Sequence, residues 1–262
     1  PLFTGIPNLQ YVPTQKKQSV WNMFRFLYNL APSVVLDMHK VNRTVLVDWL
    51  FRICGVPVYA LDKHKSKRRR MVRRFFKDRT SDVPVWKRYD LLFSKIGLNG
   101  EIAVLDSIPS PVPDAAQRRV GVAPFAQHKG KIWPPELMFQ LLELMCLDGK
   151  YQVFLFGSRS EAAQYLDKWA QTLPNLVCVA GRHSFAEEMN LIASLDLMVT
   201  MDSANMHFAS CKQVPVVSVW GATHPRVGFY GFSQNEDWAV QSDMYCRPCS
   251  AFGNKPCRFG DY

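Results

Sequence analysis

No stretch of this 262-residue sequence reaches the ~18 consecutive apolar residues that a helical membrane span needs, which excludes an integral helical membrane protein. Two nucleotide-binding signatures are also missing. No Gly-x-Gly-x-x-Gly follows an apolar strand, which argues against a dinucleotide dehydrogenase. No Gly-x4-Gly-Lys-Ser/Thr occurs, which argues against a P-loop NTPase. No Asp-x-Asp pair stands in any strand-end loop to hold a divalent ion. Cysteine is sparse, seven residues scattered over the chain, which argues against a disulfide framework and fits a reducing cytoplasm. Acidic residues are in the minority, 22 against 32 basic, and the net charge of +10 points to an anionic partner without bearing on the fold. What remains is an ordinary globular composition, 48% hydrophobic and 21% charged, long enough for one large or two ordinary α/β domains.

The chain opens at Pro1 rather than Met, on a loop-like run leading to residues 9–12, and closes at Asp261-Tyr262 without a final helix. This reading expects pieces of a longer protein on both sides. In the first half, residues 34–37 and 56–60 read as strands, with a helical stretch over 45–54 between them. Residues 82–112 are poorly patterned. Pro109, Pro111 and Pro113 break helix and sheet, so a boundary is placed near 114. The expected parts are a partial first domain at 1–114, a second at 115–240 and a cysteine-containing tail at 241–262.

The second half alternates clearly. Residues 119–123, 152–156, 176–180, 197–200 and 214–219 read as strands, separated by helices over 135–147 and 161–173 and from Ser184 and Ser203. Ser184 and Glu187 make a capping-box signature. Strands and helices in alternation imply right-handed parallel crossovers and a doubly wound sheet, whose ligands bind at the carboxyl ends of the strands. One such loop places Lys129 and Lys131 before a helix N-terminus, where a phosphate is favoured, although loop lysines are commonly just solvated. Another, Thr200-Met-Asp-Ser-Ala-Asn-Met-His207, closes a buried strand with Asp202 and opens a helix. Asp202 there suits sugar hydroxyls, the N–H groups behind it suit a diphosphate, and His207 reaches the same ligand. A plain helix cap with a packed histidine fits the spacing equally.

Lys131-Ile-Trp-Pro134, Phe156-Gly-Ser158, Asp202-Ser-Ala-Asn-Met-His207 and Pro215-Val-Val-Ser-Val-Trp-Gly-Ala-Thr-His-Pro225, in that order, resemble the family 9 glycosyltransferases, the heptosyltransferase family of lipopolysaccharide assembly. The likeness is specific over 120–230 and looser over 1–12 and 34–43. It implies a GT-B fold, two Rossmann-like α/β domains with parallel sheets facing a cleft, the first incomplete here. It implies a nucleotide-sugar donor, typically ADP-heptose, a phosphorylated lipopolysaccharide-core acceptor, and inverting transfer without a metal cofactor. It also implies a cytoplasmic location, peripheral at the inner face of the inner membrane. The same resemblance puts Lys131 on the donor diphosphate, Asp202 at the donor sugar, and Ser203, Ala204 and His207 around both. It assigns Gln127 and Gly157 to the donor site, Glu161 to the ribose, and Arg182 and His183 to the base edge. The motif's usual glycine is Ala204, which leaves donor identity open. The family's first strand and its Gly-Asp loop with the presumed base find no match. The catalytic residue is therefore unnamed, with Asp37 as a substitute, and these 262 residues are expected to bind donor without turnover.

Residues 63–77 hold nine Lys or Arg and no acid. A solvated face is one reading. A platform for a glycolipid phosphate or an anionic membrane is the other, with Lys67, Arg68, Arg69, Arg70, Arg73 and Arg74 as its contacts. Cys246, Cys249 and Cys257 could be three zinc ligands, a redox group or plain thiols, and no bound metal is expected. The rivals to a transferase are a non-catalytic nucleotide-sugar-binding protein and a basic nucleic-acid-binding one. Only the basic patch supports the latter, so nucleic acid is not an expected partner.

Overall fold

The computed structural model describes residues 8–13, 18–99 and 117–259. The chain divides into two compact units, Pro1–Lys65 with Val83–Ile102, and Ser66–Asp82 with Ala103–Tyr262. Among the described residues no helix is long and apolar enough to cross a membrane.

The first unit is built on two short parallel strands, β1 (Val35–Asp37) and β2 (Val58–Ala60), joined through a helix. Helix α1 (Val20–Tyr28) is capped by Ser19, whose hydroxyl accepts from Asn22 N–H. It packs on α2 (Asn42–Ile53) through an edge-on contact of Phe24 and Phe51, ring centroids 5.1 Å apart. Met23 and Val47 complete this small core, in which Phe51 is fully buried. Residues 9–12 form no strand, and residues 109–113 lie outside the described residues. The poorly patterned stretch contains α4 (Val85–Ser94). Its register is held by the buried Arg88 guanidinium, which donates to the carbonyls of Val83 and Lys63. An arginine at a core position hides a helix from a hydrophobic-periodicity reading.

Asp37 ends β1 and is consumed locally. One carboxylate oxygen accepts from the N–H groups of His39 and Lys40, and the other from the Thr44 hydroxyl. This removes it as a substitute base: it caps the turn into α2. Burial raises its pKa, but these hydrogen bonds outweigh that and hold it below the usual carboxylate value. Buried Asp48, on α2, faces it and moves the opposite way. Burial, then the charge and hydrogen bond of Asp37, push Asp48 up to about 6.

The second unit holds a six-stranded, wholly parallel sheet. In chain order its strands are β3 (Arg118–Ala123), β4 (Tyr151–Leu155), β5 (Leu176–Cys178), β6 (Leu197–Met201), β7 (Val216–Trp220) and β8 (Ala239–Gln241). They lie in space as 5-4-3-6-7-8. The crossovers after β3, β6 and β5 are α5 (Pro135–Leu147), α9 (Ala204–Cys211) and α8 (Phe185–Ala193). The crossover after β4 is α6 (Arg159–Glu161), which continues through a π turn into α7 (Asp167–Thr172). The short α3 (Lys65–Met71) carries much of the basic run. Strands β3, β4 and β6 are buried on both faces, which is why they read as unbroken apolar runs. Val153 and Leu155 enter one core with Met138, Leu142 and Trp169; Phe154 enters the other with Ile192, Met198 and Met206. The capping box of Ser184 and Glu187 forms as expected. Strand β8 was not expected: it is three residues at the sheet edge, with Val240 exposed, too short for a pattern.

The pair Asp37–Asp48 gives a test. Asp48 keeps its proton to about pH 6 when folded, against a carboxylate value of 3.8 unfolded. Its contribution to stability is therefore full below pH ~4 and is lost as pH rises through 6. Asp48→Asn keeps the neutral shape and removes this loss. Its stability relative to the parent should rise between pH ~4 and ~7 by on the order of 2 kcal/mol, at ~1.4 kcal/mol per pKa unit. A difference in urea midpoints that does not change with pH would refute it.

Candidate functional site

The order 5-4-3-6-7-8 reverses direction between β3 and β6, and at such a switch point the loops leave on opposite sides and open a crevice. The loop after β3 ends in a tight turn, Lys129–Lys131, before α5. The residue after β6 is Asp202, with Ser203 as N-cap of α9. The two loops meet: Lys131 Nζ lies 2.9 Å from Asp202 Oδ2, with the lysine side chain 16% and the aspartate 3% exposed. Asp202 is therefore not a helix cap but one half of a buried ion pair at the carboxyl edge. The cap hydroxyl of Ser203 instead lies 3.0 Å from that of Thr200.

A cavity of about 500 Å³ opens over this pair. Gln127, Lys131, Gly157, Glu161, Asp202, Ser203, Ala204 and His207 all line it, so eight of the ten residues assigned to the donor come together. His183 is not among the lining residues, and neither is Arg182, which pairs with Asp167. Gly181, at φ +64°, turns the chain there. His183 acts instead on Glu188, which does line the cavity: burial raises the Glu188 pKa and the nearby imidazole lowers it. Glu161 is engaged, one carboxylate oxygen accepting from Ser158 N–H at 2.6 Å in a capping box.

His207 stands one turn into α9. Desolvation by its surroundings holds its pKa below the ordinary value; the carboxylate of Asp202 opposes this and Lys131 reinforces it. A neutral imidazole at pH 7 follows, able to donate from one nitrogen and accept at the other. The site thus presents the Lys131 ammonium, the carboxylates of Asp202, Glu161 and Glu188, the imidazoles of His207 and His128, and the N–H groups at the start of α9. Such a set suits a ligand carrying both anionic oxygens and hydroxyls. Among the described residues no group of three His, Cys, Asp or Glu is arranged to hold a metal ion.

Sequence reasoning missed the other wall. Phe229 and Phe252 line the cavity with ring centroids 5.6 Å apart, and Phe252 comes from the cysteine-containing tail. That tail is fastened to the carboxyl end of β7. The buried Arg247 guanidinium donates to the carbonyls of Trp220, Gly221, Thr223 and Ser242. The N–H groups of Cys249 and Ser250 donate to Ala222 O, and Ala222 N–H donates to Gly130 O at 2.7 Å. Gly221 permits this approach, since a Cβ there would lie 2.6 Å from Gly130 O. Gly253, at φ +73°, then lies so close to the stem of Lys131 that a Cβ would come within 2.5 Å of Cγ. Burial, above all, pushes the Cys249 thiol pKa up, so it is an inert packed thiol at neutral pH.

The basic segment also departs from expectation. Ser66–Asp82 clusters with the second unit rather than with the first. Lys67 donates to Ser81 O, Arg70 pairs with Asp78, and Arg68 pairs with Asp82 while its guanidinium covers the Phe229 ring at 4.7 Å. Lys77 donates to the carbonyls of Cys246 and Pro248 in the tail. Lys67, Arg68 and Arg70, assigned to an acceptor or membrane, thus have structural partners inside this unit. Arg69, Arg73 and Arg74 are exposed.

Comparison with known proteins agrees with this architecture. The model of glycosyltransferase family 9 (heptosyltransferase) matches residues 34–261. Lipooligosaccharide heptosyltransferase 2 of Haemophilus influenzae is 32% identical over 113 residues, 41% of this chain and 32% of that protein. Lipopolysaccharide heptosyltransferase 1 of Pseudomonas aeruginosa is 32% identical over 120 residues, 45% of this chain and 32% of that protein. The chain thus aligns with about a third of the length of these curated relatives. Among solved structures, E. coli ADP-heptose lps heptosyltransferase II aligns at TM-score 0.53 and 18% identity, covering 87% of this chain and 73% of that one. The E. coli heptosyltransferase WaaC with ADP aligns at TM-score 0.59 and 15% identity, covering 86% and 73%. These likenesses bear out the expected GT-B class of fold.

Two glycines separate crowding from backbone strain. Gly149 and Gly253 both have positive φ, but a Cβ at Gly149 meets nothing within 4 Å. Gly149→Ala should cost on the order of 1 kcal/mol for the left-handed conformation alone. Gly253→Ala should cost clearly more and displace Lys131 from Asp202. Equal losses in thermal unfolding would show that the tail does not hold Lys131.

Proposed function

Because the chain belongs to glycosyltransferase family 9, we propose that its second unit holds a nucleotide-diphosphate sugar and that the protein transfers the sugar to a phosphorylated glycan. The observation that carries this reading is the Lys131–Asp202 pair, set at the β3/β6 switch point and beside the start of α9. Lys131, ion-paired with Asp202, also borders the cavity, where its ammonium can donate to a diphosphate. The free N–H groups of α9 add positive field on the same side. Asp202 then accepts from a sugar hydroxyl, and neutral His207 completes the hydrogen bonding without adding charge. The names of the aligned relatives, heptosyltransferases of lipooligosaccharide and lipopolysaccharide, favour heptose and a lipopolysaccharide-core acceptor, and the ADP of one neighbour favours adenine.

The proposed reaction is an inverting displacement. The acceptor hydroxyl oxygen bonds to the anomeric carbon as the bond to the diphosphate oxygen breaks, and the hydroxyl proton passes to a base. Lys131 and α9 offset the charge that grows on the leaving diphosphate, the task a metal performs elsewhere. We take the reaction to need no divalent ion. The acceptor, a glycolipid, would keep the protein peripheral at the cytoplasmic face of the membrane.

Titration calorimetry in EDTA tests the donor site. ADP should bind and UDP should bind more weakly. Lys131→Ala and Asp202→Ala should each weaken ADP-heptose by ~10- to 100-fold, the equivalent of ~1.5–3 kcal/mol for a charged hydrogen bond. Unchanged affinity in both variants would overturn the assignment. Any transfer of heptose to a deacylated lipopolysaccharide core should be unaffected by EDTA; activity that returns only with magnesium or manganese would refute the metal-free reading.

A further inference from the structure

Phe75 and Phe76, just beyond α3, are 67% and 97% exposed. Phe76 sits at φ +52°, a region that bulky side chains rarely enter, in the bend that follows α3. The base of this protrusion is fastened and its tip is bare. Met71 is fully buried, Arg70 pairs with Asp78, and Lys77 is tied to the tail carbonyls. Beside the tip stand exposed Arg69, Arg73 and Arg74, the last with its guanidinium 5.0 Å from the centre of the Phe75 ring. Among the described residues no carboxylate pairs with these three, and residues 63–77 contain no Asp or Glu.

We propose that residues 73–76 form a wedge that docks on an anionic lipid bilayer. Phe75 and Phe76 enter the boundary between headgroups and acyl chains, while Arg69, Arg73 and Arg74 lie on headgroup phosphates. This deepens the peripheral-membrane reading above, on which it rests, by naming the contact. The charge complementarity is with a surface, since the arginines flank the rings rather than line a cleft. A bilayer interface offers negative charge and, a few ångströms deeper, an apolar layer for two largely exposed rings. A polynucleotide offers the charge alone in its backbone, which suits the arginines but gives exposed phenylalanines no reason to stand beyond them. Arginine stems reach along apolar surface while their heads stay wet, so the two groups engage at different depths. Because α3 lays Arg68 over Phe229, a wall of the donor cavity, the wedge is anchored to the unit that holds the donor site.

Sedimentation with phosphatidylcholine vesicles, with and without a minor share of phosphatidylglycerol, tests this on the whole chain. The parent should bind the anionic vesicles and not the neutral ones. Phe76→Glu should weaken binding by about tenfold or more, and Phe76→Leu, still apolar, should keep most of it. Arg73→Gln with Arg74→Gln should cost roughly tenfold or more, at on the order of fivefold for each basic residue near such a surface. The proposal is overturned if the parent ignores anionic vesicles, if Phe76→Glu binds as well as Phe76→Leu, or if only the arginine changes matter. Self-association without vesicles that Phe76→Glu abolishes would assign the tip to a second copy and also overturn it. ADP titration of the same variants keeps the readings apart: a failed donor site shows as lost ADP binding in the parent, whatever the vesicles do.

Discussion

A lysine and an aspartate that stand 71 positions apart in the chain meet because a parallel sheet reverses its strand order at β3. The rest of the site depends on that encounter. Asp202 is almost wholly buried at the end of β6, and a carboxylate there without a cation would be costly. Lys131 meets this need only if the turn before α5 comes back across the edge of the sheet. The bond from Ala222 N–H to Gly130 O, possible because Gly221 has no side chain, holds the turn there. Neutral His207, the start of α9 and the cavity above them are then positioned around a pair that is already charge-balanced.

The tail and the basic segment form an outer shell for the same edge. Arg247 gathers carbonyls from the loop after β7, which would otherwise be buried acceptors without donors. Lys77 does the same for the tail, and Arg68 covers Phe229. Positive charge in this shell therefore has two uses. Part of it serves backbone carbonyls and the carboxylates of Asp78 and Asp82; the remainder, at Arg69, Arg73 and Arg74, faces solvent around two bare phenylalanines. Adjacent residues of one arginine-rich run thus do unlike work, and only their partners tell them apart.

The first unit shows the same principle on a smaller scale. Asp37 was a conceivable base from its position at a strand end. Three donors now converge on it and spend its carboxylate on turning the chain into α2. Below about pH 6 the proton of that pair resides on Asp48, because burial disfavours its charge while Asp37 takes the hydrogen bonds that favour ionisation.

Much of the second unit was legible in its residues. Apolar runs such as Val153-Phe-Leu155, buried on both faces, mark interior parallel strands, and Ser184 with Glu187 marks a helix start, because strand burial and capping are local. The strand-end loops of a parallel sheet must share one edge, so Lys131, Asp202, Gly157 and Glu161 could be gathered from order alone. Only the tertiary structure decided which of them touch, that His183 stays out of the cavity, and that Phe229 and Phe252 wall it. It also decided that residues 66–82 belong with the C-terminal unit. Those facts rest on contacts between segments far apart in the chain, Lys77 with Pro248 and Gly253 with Lys131 among them, and no periodicity in a sequence encodes a long-range hydrogen bond to a backbone carbonyl.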